Sequence, residues 1–310
     1  MKTALLFAGQ ATQYVGMGRA LFERFPEARA VFEAADDALG EPLSKTIFGG
    51  PEEALNRTEN TQPAVLTVAL ATFEVLDARG FRPTVLAGHS LGEYGALVAA
   101  GALEFRHAVR LVRRRGLYMQ AAVPEGVGAM AAVQRVDDEV VAAACAEIEG
   151  LVDPAVFNAP GVTVISGEAE AVAQASALLK ERGAIIVPLA VSAPFHCRLL
   201  EPAAVQLAAD LADTPFRKLH TPYVSNVDAE WVETADADAI RDKLVRQVTG
   251  TVRWRESIAL MLERGVERFW HVGPGRTNIT HVKRQTRKVA TASLDKPEDL
   301  QTILNELESL

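Results

Sequence analysis

Gly88, Ser90 and Gly92 form a Gly-x-Ser-x-Gly pentapeptide at the end of a short apolar run, 84–88, and a helical pattern starts directly after it. This is the sequence of a nucleophile elbow: a serine on a sharp strand-to-helix turn, flanked by glycines where strand and helix approach without room for Cβ atoms. Such a turn lifts the Ser90 hydroxyl into the open. It also aims the free N–H groups of the helix start at any oxyanion formed there, the N–H of Leu91 first among them. The rival reading is a tight glycine turn with a bystander hydroxyl. The elbow is favoured by the strand candidate before it, and by Tyr94, Leu97, Val98 and Leu103 with a small-residue face of Ala96, Ala99 and Ala100 after it.

A serine nucleophile needs a base. Of the six histidines, His89 adjoins Ser90, but neighbours on an elbow point in different directions, so it is expected to pack behind the nucleophile. His107, His220 and His281 lie in polar stretches and are expected to be exposed, while His271, before the turn Gly273-Pro274-Gly275, suits a structural place. His196 is the best base: it lies in a loop where the chain re-enters the main sheet after an inserted segment and faces the cleft. Its bland reading is a satisfied loop histidine. No acid falls in the chain order Ser, Asp, His, since Asp137, Asp138 and Asp153 belong to the insertion. A dyad is therefore expected, with a backbone or amide carbonyl accepting from the imidazole N–H and fixing its tautomer.

The run Arg113-Arg114-Arg115 ends a helical pattern that should lie against the elbow helix. Successive residues of a helix cannot all face one way, so at least one arginine points inward if Leu111, Val112 and Leu117 mark the buried face. One reading is a solvated helix end whose cations suit the dipole. The other is a guanidinium that clamps a carboxylate bidentately. Periodicity leaves both open.

The elements that must position these groups alternate. A strand is expected over 3–8 and a polar loop over 9–13; helices follow near 17–25, 27–38, 51–56 and 62–79, then the strand 84–88 and helices over 91–100 and 104–121. Strands alternating with helices imply a parallel sheet covered on both faces. Over 124–191 the order becomes strand 128–133, helix 137–149, strand 155–158, strand 162–166, helix 168–182 and strand 184–189. That is βαββαβ, the ferredoxin-like plan. A helix near 198–212, a strand near 223–226, helices near 236–248 and 253–264 and a final strand 268–272 then resume the main sheet. The fold expected is α/β: a hydrolase-like parallel-sheet core, 1–123 and 192–310, with an inserted ferredoxin-like subdomain, 124–191. The cleft between the two is the default binding site.

With 310 residues, 49% of them apolar, and a net charge of −8, the chain reads as a globular protein without an affinity for nucleic acid or an anionic membrane surface. Cys145 and Cys197 lack metal-ligand spacing, so neither a zinc site nor a disulfide framework is expected, and a reducing cytoplasm fits. The first ten residues faintly resemble a signal peptide, but their apolar run is too short and reads as a buried strand.

Taken in order, Gly9-Gln10-Ala11-Thr12-Gln13, Gly88-His89-Ser90-Leu91-Gly92-Glu93-Tyr94, Arg115-Gly116, Met119-Gln120, Gly128-Ala129-Met130-Ala131-Ala132, Asn158-Ala159-Pro160-Gly161, Ser192-Ala193-Pro194-Phe195-His196-Cys197, Ser225-Asn226-Val227-Asp228 and Val272-Gly273-Pro274-Gly275 resemble the malonyl-CoA:acyl carrier protein transacylases over nearly the whole chain. Both the fatty-acid enzyme and the free-standing acyltransferases of polyketide synthases are similar to it. The resemblance implies that Ser90 is acylated by malonyl-CoA and that His196 is the base that then deprotonates the carrier protein's phosphopantetheine thiol. It further implies an oxyanion hole from the N–H groups of Gln10 and Leu91, an Arg115 that grips the malonyl carboxylate, and a Gln247 carbonyl that orients His196. Asn158, Phe195 and Met119 would contact the substrate. No bound cofactor or metal is implied, because the coenzyme A thioester is itself a substrate.

Two positions carry a further expectation. The family's first loop usually reads Pro-Gly-Gln-Gly-Ser-Gln, and Ala11 in place of a glycine is expected to alter the loop's shape. Phe195, bulky before the histidine, resembles acyltransferases that take malonyl and leaves little room for an α-methyl branch. The rival activity is hydrolysis of stalled acyl groups from carrier proteins on the same fold, against which Arg115 argues. A carrier protein of this family is acidic, so docking needs a basic patch, for which Arg113, Arg114, Lys283, Arg284, Arg287 and Lys288 are candidates.

Overall fold

The computed structural model describes residues 1–124, 126–191 and 193–308. Its first part comprises β1 (Thr3–Phe7), α1 (Arg19–Arg24), α2 (Pro26–Leu39), α3 (Leu43–Gly49), α4 (Glu52–Asn56), α5 (Thr58–Asp77), β2 (Val85–Gly88), α6 (Gly92–Ala99) and α7 (Phe105–Ala122). The inserted part is β3 (Gly128–Gln134), α8 (Asp138–Glu147), β4 (Val152–Ala159), β5 (Val162–Glu168), α9 (Ala169–Glu181) and β6 (Ile185–Pro188). After it come α10 (Glu201–Ala212), β7 (Tyr223–Val224), β8 (Trp231–Val232), α11 (Ala237–Thr249), α12 (Trp254–Glu263), β9 (Arg268–Val272), α13 (Thr277–Gln285), β10 (Ala290–Leu294) and α14 (Pro297–Glu308). Ser192, at the expected boundary and in the His196 motif, lies outside the described residues.

The main sheet has the order β10-β9-β1-β2-β7-β8, parallel throughout except for the last pair. Its central strands are fully buried, and Phe7 pairs with both Gly88 and Val272. Three strands thus end at one level. The polar 9–13 loop, the elbow and the 273–275 turn all emerge there, at the carboxyl edge where open parallel sheets bind ligands. Two apolar layers hold the sheet, one around α5 and Phe32, Tyr94 and Leu97, the other around Trp254, Ile258 and Phe269.

The inserted sheet is antiparallel in the order β4-β5-β3-β6, the ferredoxin-like arrangement of a βαββαβ chain. The two-residue period of β3 divides its faces. Ala131 and Val133 pack with Val141, Ile165 and Leu179 under α8 and α9, whereas Met130 and Ala132 face the other way with Val156 and Val164. A backbone stitch joins the two parts: Val252 N–H donates to Ala155 at 2.9 Å, and Phe157 N–H donates to Val252 at 3.0 Å.

Several boundaries differ from expectation. α5 begins at Thr58 rather than near 62, so Pro63 lies inside the helix instead of opening it. β9 is not the last strand, since β10 adds a parallel edge beyond it. α3, α13 and α14 were not expected; their polar faces dilute the apolar period. Among the described residues no helix is long and apolar enough to cross a membrane.

Candidate active site

Ser90 takes φ 53°, a left-handed conformation that costs an L-residue about 1–2 kcal/mol. The surroundings enforce it. A Cβ on Gly88 would come 1.9 Å from the Gly92 carbonyl oxygen, and one on Gly92 would come 2.6 Å from the Phe7 oxygen, so only glycines let β2, α6 and β1 meet. Asn226, buried just beyond β7, pins the turn: its Oδ1 accepts from Ser90 N–H at 2.7 Å and its Nδ2 donates to the Gly88 carbonyl at 2.7 Å.

His196 Nε2 stands 2.7 Å from Ser90 Oγ, and its Nδ1 stands 2.8 Å from the main-chain oxygen of Gln247. A carbonyl only accepts, so Nδ1 carries the hydrogen and Nε2 presents its lone pair to the hydroxyl. The Gln247 oxygen is available because it belongs to the last turn of α11, where carbonyls lack intrahelical donors and the helix dipole is negative. Burial, and then the neighbouring Arg115 cation, push the imidazole down to about 3, which keeps it neutral.

Arg115 resolves the arginine run. Leu111, Val112, Arg115 and Met119 form the buried stripe of α7, while Arg113 pairs with Glu41 and Arg114 with Asp210. A Cβ on Gly116 would come 2.7 Å from the Thr58 oxygen, so α7 lies directly on α5 and brings Gln62 to the site. The guanidinium, 2% exposed, donates from Nη1 to Gln62 Oε1 at 2.7 Å, and from Nη2 to Gln247 Oε1 at 2.9 Å and Ser90 Oγ at 3.2 Å. Both amide partners are neutral, and Nε has no partner among the described residues. Beside the serine, then, sits a buried cation with unspent donor capacity.

The groups line a cleft of about 610 Å³ between the main body and the inserted sheet. Gln10, Asn158, Phe195 and His196 are on its wall with Ser90 and Arg115, and Met130, Ala132, Val156, Val164 and Leu189 give it an apolar side. Neither the Gln10 nor the Leu91 amide hydrogen has an acceptor among the described residues. Ala11 adopts φ 72° and its N–H donates to Gln13 Oε1 at 2.8 Å. Ala11 thus sits in the left-handed region that favours glycine, and the Gln13 side chain holds the strained residue.

Three placements differ from expectation. Met119 is off the cleft wall: fully buried, it accepts at Sδ from Gln62 Nε2 at 3.7 Å, because the α7 stripe turns it toward α5. His89 is not hidden behind the serine but lines the cleft, with Nε2 at 2.9 Å from Asn158 Oδ1. His281 is not exposed either; α13 carries it to the cleft, where burial and then His89 lower it to about 3. His271 is structural, its Nε2 3.0 Å from the Pro274 oxygen. Sequence reasoning missed Gln62, Glu93 and Asn226 as site residues. Gln62 closes the polar opening turn of α5, Thr58-Glu59-Asn60-Thr61-Gln62, so nothing in the local pattern sets it apart. Among the described residues no cluster of three His, Cys, Asp or Glu side chains could hold a metal ion.

The profile of the acyl transferase domain matches residues 4–295. The malonyl CoA-acyl carrier protein transacylase of Escherichia coli (strain K12) is 46% identical over 298 residues, 95% of this chain and 96% of that one. That of Bacillus subtilis (strain 168) is 44% identical over 310 residues, 99% of this chain and 97% of that one. Among solved structures, a malonyl-transacylase in complex with its type II polyketide synthase acyl-carrier protein superposes with a TM-score of 0.95 at 42% identity, covering 99% of this chain and 100% of that one. An acyl carrier protein S-malonyltransferase from Vibrio cholerae gives a TM-score of 0.94 at 41% identity, covering 98% of this chain and 100% of that one.

Proposed function

Since the chain belongs to the malonyl-CoA:acyl carrier protein transacylase family, we propose that it moves a malonyl group from malonyl-CoA to the phosphopantetheine thiol of an acyl carrier protein through an acyl-Ser90 intermediate. The observation that carries this reading is the buried Arg115 guanidinium, which donates to Ser90 Oγ at 3.2 Å and otherwise to the neutral amides of Gln62 and Gln247. Three bonds of about 1.5 Å separate the ester oxygen of an acyl-serine from the malonyl carboxylate carbon, so a bent malonyl chain reaches the guanidinium. Charge-assisted hydrogen bonds there are worth about 1.5–3 kcal/mol, or one to two orders of magnitude in preference over acetyl. A hydrolase for neutral acyl chains gains nothing from that cation.

His196 Nε2 takes the Ser90 proton as Oγ attacks the thioester carbon. The N–H groups of Gln10 and Leu91 receive the oxyanion. Collapse breaks the carbon–sulfur bond, and the imidazolium returns its proton to the departing coenzyme A thiolate. The carrier thiol enters, gives its proton to His196 and attacks the ester; the proton then passes to Ser90 Oγ as it leaves. A malonyl carboxylate on Arg115 offsets the cation that depresses His196, so the correct substrate strengthens its own base.

Phe195 and Asn158 line the cleft; in this reading Phe195 would crowd an α-substituent and Asn158 would border the pantetheine arm. The thioester supplies the activation, so the reading requires no bound cofactor. For the carrier we assign Lys283 and Arg284 in the last turn of α13 and Arg287 and Lys288 just beyond it, all exposed, on a helix whose first turn lines the cleft. Arg113 and Arg114 leave that set, being paired with Glu41 and Asp210. The reaction is assigned to the cytoplasm, where buried free thiols such as Cys145 and Cys197 persist. Single-turnover discharge of malonyl-Ser90 tests the transfer: holo carrier protein should remove the group far faster than water does, and equal rates would indicate a hydrolase.

A further inference from the structure

Glu93 is a buried carboxyl group that takes no part in the steps above. It sits in the first turn of α6, 1% exposed, three residues after the nucleophile. Its Oε2 accepts from Gln247 Nε2 at 2.6 Å and its Oε1 from Asn226 N–H at 3.3 Å. The charged and titratable groups facing it are Arg115 from α7, Lys243 from α11, Tyr94 on its own helix and Tyr223 from β7. Both oxygens accept in this arrangement; burial pushes the carboxyl up to about 7, so the acceptor-only carboxylate is the form present above that pH.

That acceptor fixes a direction. A side-chain amide can present either its oxygen or its NH2 group to a given neighbour, and its hydrogen-bond network decides which. Glu93 Oε2 and the Ser90 carbonyl, the latter at 2.9 Å, both take hydrogens from Gln247 Nε2, which leaves Gln247 Oε1 for Arg115 Nη2 at 2.9 Å. Reversing the amide would set NH2 against a guanidinium N–H, donor against donor. The same residue gives its main-chain oxygen to His196, a contact that does not depend on the side chain.

We propose that Glu93 is a positioning residue: together with the Ser90 carbonyl it fixes the orientation of the Gln247 amide, and through it the Arg115 guanidinium, and so sets the preference for a carboxylate-bearing acyl group without touching it. The inference rests on the malonyl-transfer reading. In Glu93→Gln the new amide can donate to Gln247 Oε1, which favours the reversed arrangement against the Ser90 carbonyl and Arg115 and loosens the hold on the guanidinium. In Glu93→Asp an acceptor-only group remains.

The test measures acylation of Ser90 from malonyl-CoA and from acetyl-CoA by intact mass, for wild type, E93Q and E93D. Lost ground-state binding raises KM and spares kcat, so E93Q should raise the malonyl-CoA KM about tenfold or more with acetyl transfer within about threefold of wild type. E93D should recover part of the malonyl preference. An E93Q that prefers malonyl as strongly as wild type overturns the inference, as does an E93D no better than E93Q. A parallel fall for both acyl groups also overturns it, because that marks a merely structural role. A wild type that forms no malonyl adduct overturns the malonyl reading itself, a result distinguishable from the others.

Discussion

The main-chain oxygen of Gln247 lies 2.8 Å from His196 Nδ1, in the place a carboxylate occupies in a three-membered serine triad. A carbonyl at a helix end orients the ring without a full negative charge to stabilise an imidazolium. Burial and Arg115 therefore dominate, and the imidazole is lowered to about 3. A lowered histidine stays in its basic form down to that pH, so the acid limb of activity lies well below the usual 6.5. Acylation by a neutral nitrophenyl ester, which does not engage Arg115, should change by no more than about twofold between pH 7 and pH 5. A decline centred near pH 6.5 would mean that His196 titrates as an exposed imidazole.

Ala11 stands at φ 72°. An L-residue there is strained by about 1–2 kcal/mol, partly offset by the about 0.4–1 kcal/mol by which alanine restricts the unfolded chain relative to glycine. Ala11→Gly should thus stabilise the protein by about 0.5–1 kcal/mol in urea unfolding. A destabilised variant would show that the loop holds alanine without strain.

Phe195 is on the cleft wall close to the catalytic pair, its N–H 3.3 Å from Met130 Sδ. Phe195→Ser opens space for an α-methyl group, and one methyl in an apolar pocket is worth about tenfold or more in discrimination. Competition between malonyl-CoA and methylmalonyl-CoA should shift by that factor toward the branched group. An unchanged ratio would place the steric limit elsewhere.

The exposed Lys283 and Arg284 turn a basic end of α13 toward solvent. Reversing both to glutamate should raise the KM for the acidic carrier about tenfold at low ionic strength, with less effect on acylation by malonyl-CoA. The wild-type rate of transfer to the carrier should also fall with added salt. A rate indifferent to salt would remove these charges from docking.

How much of this was legible in the sequence depended on locality. The elbow reads directly from Gly88, Ser90 and Gly92, because one tight turn dictates all three, and the βαββαβ order of the insertion shows in its change of period. Arg115 could not be separated from Arg113 and Arg114 by periodicity; the contact of Gly116 with α5 turns it inward, and that contact joins segments far apart in the chain. The same holds for Gln62, Glu93 and Asn226, whose positions follow from packing among α5, α6, α11 and the loop after β7. His281 reads as exposed because its surroundings in sequence are polar, and only the position of α13 at the carboxyl edge of the sheet buries it.

The central claim, that Ser90 carries a malonyl group selected by Arg115, is tested most directly by intact-mass spectrometry after brief exposure to malonyl-CoA, acetyl-CoA and methylmalonyl-CoA. Wild type should gain the malonyl mass, Ser90→Ala should gain none, and Arg115→Ala should shift about ten- to a hundredfold toward acetyl. An Arg115→Ala variant with undiminished malonyl preference, or a malonyl adduct that survives in Ser90→Ala, would contradict the account.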